Sequence, residues 1–288
     1  MKTTPRPADE LLGEGDYYVA ERAFPPVRVS VDDVRDRLRR NLKLVRGIGP
    51  KTEEKLKAHG YEDLACLSGH RRFGEAARGV LAAIERRDCE FLARCGASEL
   101  DLLGFYPVTD IALVDIETTG LYSTQPLFLV GVMRFVDDGN LLLRQYLARS
   151  YEEEAHVLVV VREELGRLPV ITTYNGRRFD VPYMRDRMAF HGIEYGPCQL
   201  HLDLLRIVRR LYRRALPDCR LVTVAEHLVG HVRHGDIPGY MIPEVYHEFV
   251  RTRNPILIRP ILEHNAMDLR ALALILGSII ADRAQAGG

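Results

Sequence analysis

Apolar and polar positions change rhythm twice along the chain. Residues 1–30 carry prolines and no steady period, which predicts an irregular N-terminal arm in which 17–20 has the makings of a short strand. From 31 to 94 apolar residues recur at helical spacing between glycine-containing turns, and 100–109 reads as a joint. The pattern then turns strand-like. A β-branched run at 111–115 leads into Thr118-Thr119-Gly120, and two apolar stretches, 127–135 and 141–147, flank the hairpin signal Asp137-Asp138-Gly139-Asn140. Residues 152–165 have helical spacing, and 169–174 reads as a buried strand. Asp180 stands where it could cap a helix running to about His191. The remainder is mostly helical and ends in a long helix over 255–282. Three strands with a hairpin, then helix–strand–helix, predict an α/β fold: a mixed sheet with flanking helices over 105–283, preceded by a small all-α domain at 31–100.

The length supports that division, because 288 residues correspond to about two domains of roughly 100–200 residues each. At 47% hydrophobic and 28% charged residues, the chain can bury a core and lies outside the disordered class. The longest apolar run, near 271–280, contains a glycine and is shorter than the roughly 20 residues that cross a bilayer. Residues 1–10 lack the apolar core of a signal peptide. Five cysteines without disulfide or CxxC spacing fit a reduced compartment, so the expectation is a cytoplasmic protein with no membrane partner. His227, His231 and His234 have partial metal-ligand spacing without a fourth ligand, and Gly13-Glu14-Gly15 has no helix pattern after it, so neither changes the picture.

Equal numbers of basic and acidic residues, 40 of each, exclude a uniformly basic nucleic-acid coat. The local distribution is less even. Nine basic residues lie between Arg35 and Lys57, and Arg206, Arg209, Arg210, Arg213 and Arg214 fall on one side of a helix whose other side holds Leu204, Val208, Leu211, Tyr212 and Ala215. Such a face is either simply solvated or binds phosphate, with Arg209 and Arg213 as the candidate contacts.

The chemistry concentrates in three segments. In Val114-Asp115-Ile116-Glu117-Thr118-Thr119-Gly120-Leu121, period-2 geometry puts Asp115 and Glu117 on one strand face, where like charges repel unless a cation neutralises them. Tyr174-Asn175-Gly176-Arg177-Arg178-Phe179-Asp180 follows a buried strand and opens a helix. His264-Asn265-Ala266-Met267-Asp268 places His264 and Asp268 on one helical face. Asp115, Glu117, Asp180 and Asp268 are the hard oxygen donors that Mg²⁺ or Mn²⁺ prefers, and two such ions can drive phosphodiester hydrolysis. His264 can accept a proton at neutral pH. Asp203, on the alternating segment 200–204, fits either an orienting role behind a metal ligand or a helix cap.

These motifs resemble those of the DEDD exonuclease superfamily, whose fold is ribonuclease H-like. D-I-E-T-T-G-L is similar to its first motif. N-x-x-x-F-D is similar to the second in the form seen in proofreading domains of family B DNA polymerases. The segments His201-Leu202-Asp203-Leu204 and Asp236-Ile237-Pro238-Gly239 are similar to those of a predicted-exonuclease branch. The resemblance covers 107–282. It implies four carboxylates holding two metal ions, 3′→5′ hydrolysis of nucleic acid to 5′-mononucleotides, backbone around Thr118 and Leu121 packing on the terminal nucleotide, and Asn175 orienting it. The third motif departs from the superfamily pattern, having H-x₃-D where its branches have Y-x₃-D or H-x₄-D.

Upstream, Leu44-Val45-Arg46-Gly47-Ile48-Gly49-Pro50-Lys51-Thr52 joins two helix-like stretches. Gly47 and Gly49 permit a tight turn that exposes N–H groups at a helix N-terminus, Pro50 suits its first turn, and Lys51 adds positive charge. The segment resembles a helix-hairpin-helix motif, which grips backbone phosphate without reading sequence and favours DNA over RNA as the partner. A structure-specific endonuclease and a non-catalytic nucleic-acid binder on the same fold are the alternatives.

Overall fold

The computed structural model describes residues 11, 15–29, 34–196, 200–233 and 235–286. Two compact units emerge: Met1–Val29 together with Val108–Gly288, and Ser30–Pro107.

The second unit is helical throughout its described residues. Its elements are α1 (Val34–Arg40), a 3₁₀ turn (Leu42–Leu44), α2 (Pro50–Ala58), α3 (Leu64–Leu67), α4 (Gly74–Arg86), α5 (Cys89–Arg94) and α6 (Glu99–Leu103). Side-chain caps set several starts. Asp63 accepts from the Cys66 N–H, Asp88 from the Phe91 N–H, and Ser98 and Asp101 form a reciprocal capping box. Leu42, Leu64, Leu67, Ala77, Ile84, Leu92 and Leu103 are fully buried and form its interior.

The first unit carries a six-stranded sheet in the order β1-β4-β3-β2-β5-β6. β2 (Ile111–Thr118), β3 (Leu127–Phe135) and β4 (Leu141–Leu147) form an antiparallel meander, and β5 (Val170–Thr173) and β6 (Leu200–Asp203) add in parallel beyond β2. This is the mixed α/β sheet that the sequence pattern predicts. β2 and β3 sit in the middle and read as nearly continuous apolar runs because both faces are covered. The covering helices are α7 (Glu154–Leu165), α8 (Asp180–Phe190), α9 (Leu204–Tyr212), α10 (Leu221–Val229), α11 (Ile242–Thr252) and α12 (Pro255–Ala286).

The expected irregular arm at 1–30 needs correction. Residues 1–10 and 12–14 lie outside the described residues, but β1 (Tyr18–Phe24) pairs antiparallel with β4 over all seven of its residues. It is an edge strand whose middle is exposed, so it lacks the alternation that marks a half-buried strand. The α/β unit therefore draws on chain from both sides of the helical unit rather than starting near residue 105.

α12 is long and apolar enough over Pro255–Arg283, with a mean hydropathy of 1.2, to pass as a bilayer span by composition. Ile258, Ile261, Leu269, Leu272, Ile275 and Ile279 are fully buried in this fold, which accounts for the apolarity. Its close approach to the sheet is made at Gly131 of β3, where a Cβ would fall 2.2 Å from Asn265 Oδ1 and 2.5 Å from Leu269 Cδ1. Beneath the loop between β2 and β3 lies buried Glu154. Its carboxylate accepts from Arg187 Nε at 2.7 Å and from the Leu127 N–H at 2.8 Å, stands 2.9 Å from His191 Nε2, and also pairs with Arg187 Nη2. Arg187 Nη1 in turn reaches the Ser123 carbonyl at 3.3 Å, which ties α7 and α8 to that loop.

Candidate active site

Asp115 and Glu117 project from the end of β2, where the pairing with β3 shifts register between Glu117 and Thr118. Such an irregularity bends the strand and re-aims the side chains beside it. Asp180 stands at the start of α8 on the neighbouring connection, and His264, Asn265 and Asp268 come from α12. The carboxylates of Asp115, Glu117, Asp180 and Asp268 sense one another's charge. Burial, then the charges of Asp268, Glu117 and Asp180, push the Asp115 carboxyl well above the usual range. Burial, then Asp268 and Asp180, do the same to Glu117. Burial lifts Asp180 to about 7, against hydrogen bonds from its own N–H and that of Ile116. Asp268 is raised by burial and held back by Arg233 and His264.

The four acids stop short of a preformed cage. Among the described residues, no three His, Cys, Asp or Glu side chains stand in a spacing that would hold an ion. Asp268 instead forms an ion pair with Arg233, a residue that sequence reasoning missed.

Asn265 is the second residue missed. Fully buried, it donates to Asp115 Oδ2 at 2.9 Å and accepts from Gln145 Nε2 at 2.9 Å, and Gln145 also donates to the Leu262 carbonyl at 2.7 Å. The signal in the sequence is an amide between His264 and Asp268. Asp236 is the third. Its Oδ1 stands 2.8 Å from His264 Nδ1, which must carry the proton to donate to a carboxylate, and this leaves Nε2, 3.5 Å from Asp268 Oδ2, as the basic nitrogen.

Asp203 acts both as a cap and as a brace. Its Oδ1 accepts from the Leu205 N–H at 3.1 Å, capping α9, and from the Asn175 N–H at 2.9 Å, while Oδ2 accepts from the Arg177 N–H at 3.2 Å. These bonds fix the turn leading to Asp180, in which Asn175 adopts φ +69°. Asp180 does not cap α8 as the sequence suggested: Phe179 holds the cap position and Asp180 is the first helical residue. The Thr118 hydroxyl donates to the Gly120 carbonyl at 2.7 Å, whereas Leu121 is 81% exposed at the loop tip.

Arg209 on α9 and Arg213 just past its end are exposed, and Leu204 and Val208 are buried. Leu211 and Ala215 depart from the expected apolar side. The helix stops at Tyr212, and both residues are exposed. Gly47, Gly49 and Lys51 lie in the helical unit, where Gly47 takes φ +91°, Gly49 precedes α2 without a side-chain cap, and Lys51 is exposed in its first turn. Of the three spaced histidines, His234 lies outside the described residues, and His227 Nδ1 is 2.9 Å from the Thr223 carbonyl of its own helix.

A family model described as RNase_H superfamily matches residues 112–280. The uncharacterized protein YprB of Bacillus subtilis (strain 168) is 30% identical over 171 residues, an alignment taking in 58% of this chain and 41% of that protein. The chain thus spans less than half the length of that relative. The family B DNA polymerase from the hyperthermophilic archaeon Pyrobaculum calidifontis aligns over 61% of this chain and 24% of its own, with 19% identity and a TM-score of 0.47.

Proposed function

The chain belongs to the RNase_H superfamily, and on that basis we propose that it is a metal-dependent 3′→5′ exonuclease releasing 5′-mononucleotides, preferring DNA to RNA. Membership supports the coarser statement directly: an RNase H-like fold suggests a nuclease, and nucleases of this fold generally use divalent metal ions. The observation that supports the metal-dependent part of this reading is the burial of Asp115, Glu117, Asp180 and Asp268 within reach of one another's charge, from three distant segments, while the 3′→5′ polarity rests on the motif resemblance and the DNA preference on the Gly47–Lys51 turn. Acids gathered at such cost fit hard divalent cations, and these four would hold Mg²⁺ or Mn²⁺, two ions in the favoured reading. When bound, the ions supply Lewis-acid charge for attack on the phosphodiester and for departure of the 3′ oxygen.

The chain's own groups do the rest. Asp236 fixes the tautomer and the ring plane of His264, so that Nε2 takes the proton of the attacking water. Asn265 and the Gln145 amide hold the Asp115 carboxylate in place, and Asp203 holds the turn before Asp180. Thr118, Leu121 and Asn175 border the terminal nucleotide. Arg209 and Arg213 would meet backbone phosphates of the substrate, and the Gly47–Gly49–Lys51 turn would bind backbone phosphate on its own unit.

The deciding experiment follows 3′- and 5′-labelled DNA and RNA, single- and double-stranded, in Mg²⁺, Mn²⁺ or chelator, beside Asp115→Ala. Stepwise shortening from the 3′ end, dependent on metal and on Asp115, is the expected result. Cleavage of circular single strands instead would indicate an endonuclease.

A further inference from the structure

The loop between α10 and α11 leaves Gly230 at φ +64° and turns again at Gly235 at φ +69°, and Arg233 lies between these two left-handed turns. Its side chain is only 4% exposed. Burying a guanidinium is costly unless anions surround it. Here Nη1 donates to Asp236 Oδ2 at 3.2 Å, Nη2 stands in an ion pair with Asp268 Oδ1 that lacks hydrogen-bond geometry, and Nε has no hydrogen-bond partner among the described residues. The same Asp268 stands 3.5 Å from His264, and its charge reaches Asp115 and Glu117. His231, next but one in the chain, is pushed down by burial and by the charge of Arg233.

We propose that Arg233 is the resident counter-cation of the acidic cluster, competing with the divalent metal for Asp268, so that metal uptake requires its guanidinium to leave that carboxylate. This rests on the metal-dependent reading given above. The geometry favours it because the ion pair takes an oxygen that a metal ion would need, and because the two glycine turns provide joints at which the loop can move. It also accounts for a cluster with the right donors but no closed cage. One of its four acids is engaged by the protein's own cation.

The test titrates Mn²⁺ calorimetrically into the metal-stripped full chain as wild type, Arg233→Gln, Arg233→Lys and Asp115→Asn. Removal of a competing charge in contact with a ligand is expected to tighten Mn²⁺ binding by Arg233→Gln about tenfold or more, with Arg233→Lys between it and wild type. The thermal midpoint of Arg233→Gln in chelator should fall below that of wild type, and Mn²⁺ should raise it by more. Binding by Arg233→Gln equal to or weaker than wild type, with Asp115→Asn binding lost, overturns the role of Arg233 and leaves the metal reading standing. If Arg233→Gln does not fold without metal, Arg233→Lys decides, and affinity no tighter than wild type overturns the proposal. Equal Mn²⁺ uptake by wild type and Asp115→Asn overturns the metal reading and this proposal together.

Discussion

Asn265 donates a 2.9 Å hydrogen bond to Asp115 across 150 residues of sequence, and Gly131, the strand partner of Asp115, leaves the space in which that amide sits. Helix, central strand and candidate ligand are thus locked at one point. Asn265→Ala is expected to cost about 1–3 kcal/mol of unfolding free energy, because it removes one of the two acceptors of the buried Gln145 amide and frees the Asp115 carboxylate. It should also lower turnover about 10- to 100-fold. Denaturant unfolding and nuclease rates measured on the same preparation check both effects.

His264→Ala is expected to lower turnover by about 10²–10⁴ while leaving Mn²⁺ affinity largely intact. Asp236→Asn removes the acceptor that sets the ring of His264, and should lower turnover by about 10–100-fold with little change in KM. Steady-state kinetics on both variants, with Mn²⁺ titrated alongside, separate a proton-transfer role from a ligand role.

Metal-free protein should lose stability as pH rises from about 4 to about 7. Burial pushes the Asp180 carboxyl up to about 7 in the fold, against about 3.8 for the unfolded chain. The folded state therefore holds the proton more tightly, and the stability it contributes is complete below the unfolded value and gone above the folded one. Asp115 and Glu117 are shifted in the same direction. Thermal midpoints across pH 4–8 should decline in chelator and decline less in Mn²⁺, so that the gap between the two curves widens with pH.

Glu154→Ala should destabilise by about 3–5 kcal/mol, since it leaves Arg187 buried without its carboxylate. Chemical unfolding of this variant, with Arg187→Ala and the double replacement, isolates the pair. The double variant should recover part of the loss.

Lys51→Glu should weaken DNA binding and reduce its salt dependence. Binding titrations at several salt concentrations report the slope directly. An unchanged slope would mean that Lys51 touches no phosphate.

Much of the sheet was open to reading in the sequence. β3 and β4 show themselves because long apolar runs flank a turn of Asp, Gly and Asn, and the Asp115–Glu117 pair shows itself because two acids at the end of a buried strand need a reason to be there. The parts that escaped share a cause. Asn265, Asp236, Arg233 and Glu154 draw their roles from partners far along the chain, and no local period reports such a partner. β1 was legible only over its first residues, at 17–20, because the hydrogen bonds of an edge strand, more than buried side chains, fasten the rest of it to the sheet. Ala215 falls off the packed face because the helix ends at Tyr212, whereas Leu211 lies within the helix on its exposed side.

The interrupted course of the α/β unit has a consequence for biosynthesis. Glu21 and Arg144 form an ion pair across β1 and β4 but are 123 residues apart, so the first strand emerges from the ribosome long before its mate. The intervening helical unit is compact in its own right and is free to fold during that wait. The nascent chain must meanwhile keep 18–24 from pairing elsewhere, which makes closure of the sheet edge a late event in maturation.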